Sequence, residues 1–183
     1  MNEDTVDTSI NLSNVFADVD IAYGDELTYS YANNVNINVE INQTTGVVTL
    51  TPAMNWYGME TIEFTATDLL GENVMDDVIV TVNDVNDEPI ITLPDSFTFA
   101  EDTSLQVDFT PYITDLEQTP AEMTLTVEGN TNVYASIEGM IITFTSLQNW
   151  SGTETLTFTI NDQQGRAIAD DETDVIVTPV NDA

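Results

Sequence analysis

The sequence predicts an all-β protein made of two tandem β-sandwiches of about seven short strands each. Three observations carry that prediction. Apolar residues alternate with polar ones at period two: Ile62, Phe64 and Ala66 against Glu63, Thr65 and Thr67, and Leu156, Phe158 and Ile160 in the second half. The chain repeats itself. Asn55-Trp56-Tyr57-Gly58 matches Asn149-Trp150-Ser151-Gly152 at an offset of 94, and Thr61–Thr65, Asp68 and Gly71 match Thr155–Thr159, Asp162 and Gly165 in the same register. Glycine-bearing turn signals separate the alternating runs at short, regular spacing, and no helical stripe competes with them.

Taken in order, strands are expected around Leu27–Tyr31, Ile37–Ile41, Val47–Leu50, Ile62–Thr67 and Val78–Val82. In the second half they are expected at Phe97, Leu105–Phe109, Met123–Val127, Val133–Ile137, Met140–Thr145, Leu156–Ile160 and Val175–Thr178. Turns fall at Thr45-Gly46, Leu70-Gly71, Glu128-Gly129-Asn130, Glu138-Gly139 and Gln164-Gly165. The expected core includes Trp56, Ile62, Phe64, Val78, Val80, Leu125, Phe144, Trp150, Leu156 and Phe158. The domains are read as residues 1–87 and 88–183. Glu3-Asp4-Thr5 matches Glu101-Asp102-Thr103 at an offset of 98, but the second copy is preceded by the apolar Ile90, Ile91 and Leu93. The first repeat is therefore expected to lack most of its opening strand, and the whole to be an excerpt of a longer array.

Composition narrows function. The 183 residues carry 33 acids, one basic residue (Arg166) and no histidine or cysteine, for a formal charge of −32. Nothing here neutralises phosphates, so nucleic acid is excluded as a partner, and an anionic membrane surface is disfavoured on the same ground. Disulfides, thiolate sites and the usual zinc or copper sites are absent. No apolar run reaches the length of a membrane span, so direct membrane insertion is not expected. An enzyme is not expected either: acids are too abundant for any pair to be informative, and no histidine, cysteine or lysine offers a base or nucleophile.

The stretch with chemistry is Asp84-Val85-Asn86-Asp87-Glu88-Pro89, echoed by Val180-Asn181-Asp182-Ala183. Each copy follows a Val-Ile-Val-Thr run, Val78–Thr81 and Val175–Thr178. Carboxylates, amide oxygens and carbonyls crowded at a joint between repeats suit a hard cation, and calcium better than magnesium. A single aspartate in such a place is otherwise a turn residue or a solvated charge.

These residues resemble the cadherin-like repeat in its bacterial tandem form. The joint is similar to the cadherin linker Asp-x-Asn-Asp-Asn-x-Pro, with Glu88 for the last Asn and the proline one place early. Glu3-Asp4 and Glu101-Asp102 resemble the family's Glu-Asn. Asp18-Val19-Asp20 and Asp115-Leu116-Glu117 resemble its Asp-x-Asp, Ala66-Thr67-Asp68 its Ala-x-Asp, and Asn42–Gly46 its Asp-x-x-Thr-Gly turn. Cadherins place a Leu-Asp-Arg-Glu box where this chain has Pro52–Gly58 with no acid.

The resemblance implies immunoglobulin-like, Greek-key sandwiches with Ca2+ between repeats. It implies Asn86, the Glu88 carbonyl, Asp115, Glu117 and Asp162 as ligands of one ion, and Asp87 with Glu3 as ligands of a second. Asp18, Asp20 and Asp68 hold the same place in the first repeat, and Glu101, Asn181 and Asp182 would await a further repeat. The expected function is a calcium-rigidified structural or adhesive extender of a large secreted or cell-surface protein, bacterial in origin. Its partners are the neighbouring repeats of the same chain. The alternative is a module binding polysaccharide or another cell-surface protein, through Tyr23, Tyr29, Tyr31, Trp56, Tyr57 or Tyr134.

Overall fold

The computed structural model describes residues 1–164 and 168–181. The chain divides into two compact units, Met1–Val85 and Asn86–Ala183. The division lies two residues before the boundary read from the sequence, so Asn86 and Asp87 fall with the second unit. The expected turn at Gln164-Gly165 and the residue Asp182 lie partly or wholly outside the described residues. No α-helix occurs among the described residues.

The first unit has five strands: β1 (Thr28–Ala32), β2 (Ile37–Ile41), β3 (Val48–Pro52), β4 (Gly58–Thr67) and β5 (Asn73–Val82). β1, β4 and β5 form one antiparallel sheet, with β4 central, and β2 and β3 form a hairpin. The residues before β1 contribute isolated bridges, Asp7 to Leu50 and Asn11 to Val47. The period-two alternation points Ile37, Val39, Val48, Leu50, Ile62, Phe64 and Ala66 into one core with Leu12 and Phe16. Gly46 closes the β2–β3 turn at φ +72, where a Cβ would lie 2.7 Å from the Ser13 nitrogen. Only glycine fits so close a backbone approach at a positive φ.

The second unit is fuller. Its strands are β6 (Ile90–Ile91), β7 (Ser96–Ala100), β8 (Ser104–Asp108), β9 (Ile113–Thr114), β10 (Thr124–Glu128), β11 (Val133–Glu138), β12 (Ile141–Ser146), β13 (Gly152–Asn161) and β14 (Ile168–Thr178). One sheet runs β10-β13-β14-β7 and the facing sheet β11-β12-β8, with β6 on β9. Only β7 joins in parallel, along the outer edge of β14. Between the sheets Phe97, Phe109, Phe144 and Phe158 pack ring on ring, the tightest pair being Phe109–Phe158 at 4.8 Å between centroids. The fold is an all-β, immunoglobulin-like sandwich in tandem.

Of the expected core, Ile62, Phe64, Val80, Leu125, Phe144, Leu156 and Phe158 are buried. Three residues are not. Trp56, Val78 and Trp150 are half-buried and rest against the core edge. Each indole instead lies over the glycine two residues on: a Cβ at Gly58 would meet Trp56 Cζ2 at 3.2 Å, and one at Gly152 would meet Trp150 Cζ2 at 2.9 Å. Val78 stays half-open because no strand covers that stretch of β5, whereas its counterpart Thr173 on β14 is buried.

Two sequence motifs meet in space. Asp4 and Asp102 both take left-handed backbone, φ +51 and +58. Their carboxylates accept the N–H of Asn55 and Asn149, the residues before the two tryptophans. The Glu-Asp-Thr and Asn-Trp repeats are thus two halves of one clasp, made once in each unit. Strand pairing also corrects the repeat register. Gly58 faces Val82 and Gly152 faces Val177, so Val80 and Val82 correspond to Val175 and Val177. The shared Val-Ile-Val-Thr is displaced by two residues from true equivalence. One full strand period leaves every side chain on its proper face, which hides the slip at sequence level.

Candidate metal centre

The end of the second unit nearest its linker is built from three short backbone-capping turns. Asp115 Oδ1 accepts the N–H groups of Glu117 and Gln118 at 2.9 and 2.7 Å. Asp162 Oδ1, just past β13, accepts the Gln164 N–H at 2.8 Å. Thr119 and Glu122 form a capping box around the next turn. The two aspartate caps are the Asx-turn bonds that aspartates make in loops, and each leaves Oδ2 to point elsewhere.

The linker docks onto these turns. The Asn86 side-chain N–H group donates to Asp162 Oδ2 at 2.7 Å and to the Asp87 carbonyl at 2.7 Å. The Asp87 N–H donates to Glu117 Oε2 at 3.3 Å. Asp162 is 2 % exposed although it is an acid in a loop. Glu88 is exposed and Pro89 is buried, which pins the chain where it enters β6.

The buried acceptors decide what this arrangement can bind. Asn86 Oδ1, Asp87 Oδ2, Asp115 Oδ2 and Gln118 Oε1 are all buried without a hydrogen-bond partner. Among the described residues only Ser146 Oγ shares that condition. Buried acceptors without donors are costly, particularly when charged. A water satisfies acceptors only two at a time, and the chain has one arginine, no lysine and no histidine to offer. All four atoms are hard oxygens. A cation with six to eight oxygen ligands at about 2.3–2.6 Å, as calcium takes, fits this donor set. Gln118 was not among the residues expected from sequence. Its only signal there was its place directly after the Asp115-Leu116-Glu117 run.

The other expected residues are placed as follows. Glu3 belongs to the first unit, is 4 % exposed, and accepts the Val85 N–H at 2.6 Å. Burial raises its carboxyl above the ordinary value, partly offset by that N–H. Glu101 makes the equivalent bond to Val180. In the first unit the acids that gather are Asp18, Asp25 and Asp68, each offering an oxygen within 4.8 Å of the others. Asp25, not the expected Asp20, completes that group. All three already cap turns: Asp18 holds the Asp20 N–H, Asp25 the Glu26 and Leu69 N–H groups, and Asp68 those of Leu70 and Glu72.

Sequence reasoning missed a second pair of acids. Glu60 and Glu154 sit at equivalent places on β4 and β13, facing the loop before β2 or β11. Glu60 accepts the N–H groups of Val35 and Asn36, and Glu154 those of Thr131, Asn132 and Val133. Burial acts to raise both carboxyls, but the convergent N–H groups outweigh it and hold them below the ordinary range. These are structural latches. Of the aromatic residues considered for a binding face, Tyr23, Tyr31, Tyr57 and Tyr134 are exposed and Tyr29 and Trp56 half-buried. They are scattered over different elements.

Comparison with known proteins agrees with the fold. A family model described as bacterial Ig domain matches residues 1–83 and again 86–178. No curated protein matches the sequence. Among solved structures, the chain is similar to Drosophila N-cadherin EC1-4 at TM-score 0.55 and 20 % identity, covering 87 % of this chain and 42 % of that one. Human protocadherin-24 EC1-2 matches at TM-score 0.53 and 16 % identity, over 85 % of this chain and 84 % of that one. An endo-fucoidan hydrolase from glycoside hydrolase family 107 also matches, at 19 % identity over 84 % of this chain. The chain spans only 24 % of that enzyme, at a TM-score of 0.40. Identities this low speak for the fold alone.

Proposed function

Because the chain belongs to the bacterial Ig domain family, as two tandem repeats, we propose that it is a calcium-binding spacer of an extracellular bacterial protein, whose linker is locked by the ion. The single observation that carries this reading is the set of four buried, unpartnered oxygens on Asn86, Asp87, Asp115 and Gln118. Asp162 supports it from behind, orienting Asn86 through its amide. Without a cation the carboxylates of Asp87, Asp115, Glu117 and Asp162 repel one another and the linker loosens. With calcium bound, Asn86 and Asp87 are held to the second repeat, and the swing of the preceding repeat is limited. A run of such repeats becomes a stiff extender that carries an adhesive or binding domain away from a surface. On this reading the protein is not an enzyme and its partners are neighbouring repeats.

Thermal melting in calcium, with sodium chloride at matched ionic strength as control, tests it. Calcium should raise Tm beyond the sodium control, and magnesium should do so less. Binding to the folded state alone adds about 2.7 kcal/mol at a hundredfold excess over Kd. Equal shifts for calcium and sodium would show that screening is the whole effect and would remove the proposal.

A further inference from the structure

The outer faces of the two long hairpins carry opposite chemistry. In the first unit, period two sends Ile62, Phe64, Val80 and Val82 into the core. Met59, Thr61, Glu63 and Thr65 of β4 therefore face outward, with Met75, Asp77, Ile79 and Thr81 of β5. Pairing sets them in rows: Met59 opposite Thr81, Thr61 opposite Ile79, Glu63 opposite Asp77, and Thr65 opposite Met75. Met59 is 75 % exposed, Ile79 69 % and Met75 57 %, and Tyr57, just before β4, is exposed as well. Single exposed apolar residues are ordinary on a protein surface. These are grouped. Met59 and Ile79 are diagonal neighbours, within reach of long side chains, and Ile79 and Met75 flank Asp77 at about 7 Å to either side.

The second unit finishes the same backbone differently. By strand register, Tyr57, Met59, Ile79 and Met75 correspond to Ser151, Thr153, Asp174 and Asp170. There the Thr155 hydroxyl donates to Asp174 Oδ1 and the Thr157 hydroxyl to Glu172 Oε1, so the face is a ladder of mutually satisfied polar groups. Thr81 in place of Ile176 is the one exchange in the other direction on these two strands. In the first unit Glu63 takes the place of Thr157. That removes the hydroxyl donor and leaves two carboxylates, Glu63 and Asp77, directly opposite each other. Neither carboxylate has a hydrogen-bond donor or a basic partner among the described residues. Like charges facing across neighbouring strands are destabilising, and apolar side chains ring this pair instead of shielding hydroxyls.

We propose that this face of the first unit is a docking surface for a basic segment of another protein. An arginine of the partner enters between Glu63 and Asp77, and apolar side chains to either side of it cover Ile79, Met75 and Met59. The planar guanidinium offers five donors, enough to serve two carboxylates at once, where an ammonium is a compact point charge. Methionine, aromatic residues and arginine are the types that concentrate at the centres of protein interfaces. A second copy of this chain does not fit. It carries 33 acids, no lysine and a single arginine, so two such faces would set carboxylate against carboxylate.

The test is an NMR titration of the whole isotope-labelled protein, at physiological salt with calcium present, using the capped peptide Ile-Thr-Arg-Thr-Ile. Saturable shifts should be confined to the amides of Met59–Thr65 and Met75–Thr81 and absent from Thr153–Thr159. The same peptide with glutamine for arginine should bind about tenfold more weakly or worse. So should the parent peptide on Ile79→Asp and on Glu63→Thr, each of which installs the second unit's residue at an exposed position. Ile79→Asp is the decisive variant. It adds a negative charge, so mere attraction of a cation to an acidic surface would strengthen binding where docking on an apolar face weakens it. No saturable binding, equal shifts on β13 and β14, or equal or tighter binding by Ile79→Asp would overturn the proposal. So would shifts at the same amides on dilution of the protein alone, since the occupant would then be a second copy.

Discussion

Asp162 and Asp68 show how one residue type in one local sequence acquires two roles. Both follow the long first strand of a hairpin and both cap the next turn through Oδ1. Only Asp162 is buried and bound by a linker asparagine. Asp162→Asn should therefore weaken calcium binding by isothermal titration calorimetry by about tenfold or more, ~1.4 kcal/mol, while Asp68→Asn leaves that site within about twofold. Equal losses would show that the ligands do not follow the repeat register. Gln118→Ala should also weaken calcium while leaving the calcium-free Tm nearly unchanged, because it removes an acceptor that no protein group satisfies. Glu154 gives a pH prediction. Its carboxyl is held below the ordinary value of about 4.3, so its contribution to stability is fully present above that pH and is lost as pH falls through the depressed folded value. Glu154→Gln should cost about 1–3 kcal/mol at neutral pH, from weakened charge-assisted bonds to the Thr131–Val133 loop. In urea melts the gap between variant and parent should close below about pH 4.

At the scale of elements, the long hairpins β4–β5 and β13–β14 organise each unit, and the Asn-Trp-x-Gly turn leads into each. The indole rests on the glycine backbone, more tightly at Gly152 than at Gly58. Gly152→Ala should lower stability by about 1–3 kcal/mol through a rigid ring clash, and Gly58→Ala by less. Chemical denaturation of the two variants gives the order, and a larger loss at Gly58 would contradict the geometry. The hairpins themselves were legible: alternation at Ile62–Ala66 and Leu156–Ile160 fixed which face is buried. Their full length was not. β5 begins at Asn73 and β14 at Ile168, through acidic residues whose strand character comes from pairing to β4 and β13. Charged residues carry little strand propensity of their own, and neighbouring strands override it.

For the whole molecule the charge of −32 sets the conditions under which any of this is seen. Self-repulsion opposes compaction, and added salt screens it over a Debye length of about 10 Å at 0.1 M. Sodium chloride alone should therefore raise Tm, with most of the gain complete by a few tenths molar. The further increment from calcium should persist at high salt, because buried ligands are screened far less than surface charges. A calcium increment that vanishes on raising sodium chloride would mark it as surface screening.

The sequence by itself determined the all-β class, the two repeats, the alternating faces and the acidic linker, because each is written in local order: period two, a fixed offset, a run of oxygens. It also singled out Asn86, Asp87 and Asp115, each of which carries a buried oxygen without a hydrogen-bond donor. Only the tertiary structure decided that Gln118 shares that condition, that Asp25 gathers with Asp18 and Asp68, and that Glu60 and Glu154 fasten loops more than twenty residues away. Those outcomes depend on which side chains meet across long stretches of chain, and the identity of a residue says nothing of that until packing has brought its partner, or failed to bring one, within hydrogen-bonding reach.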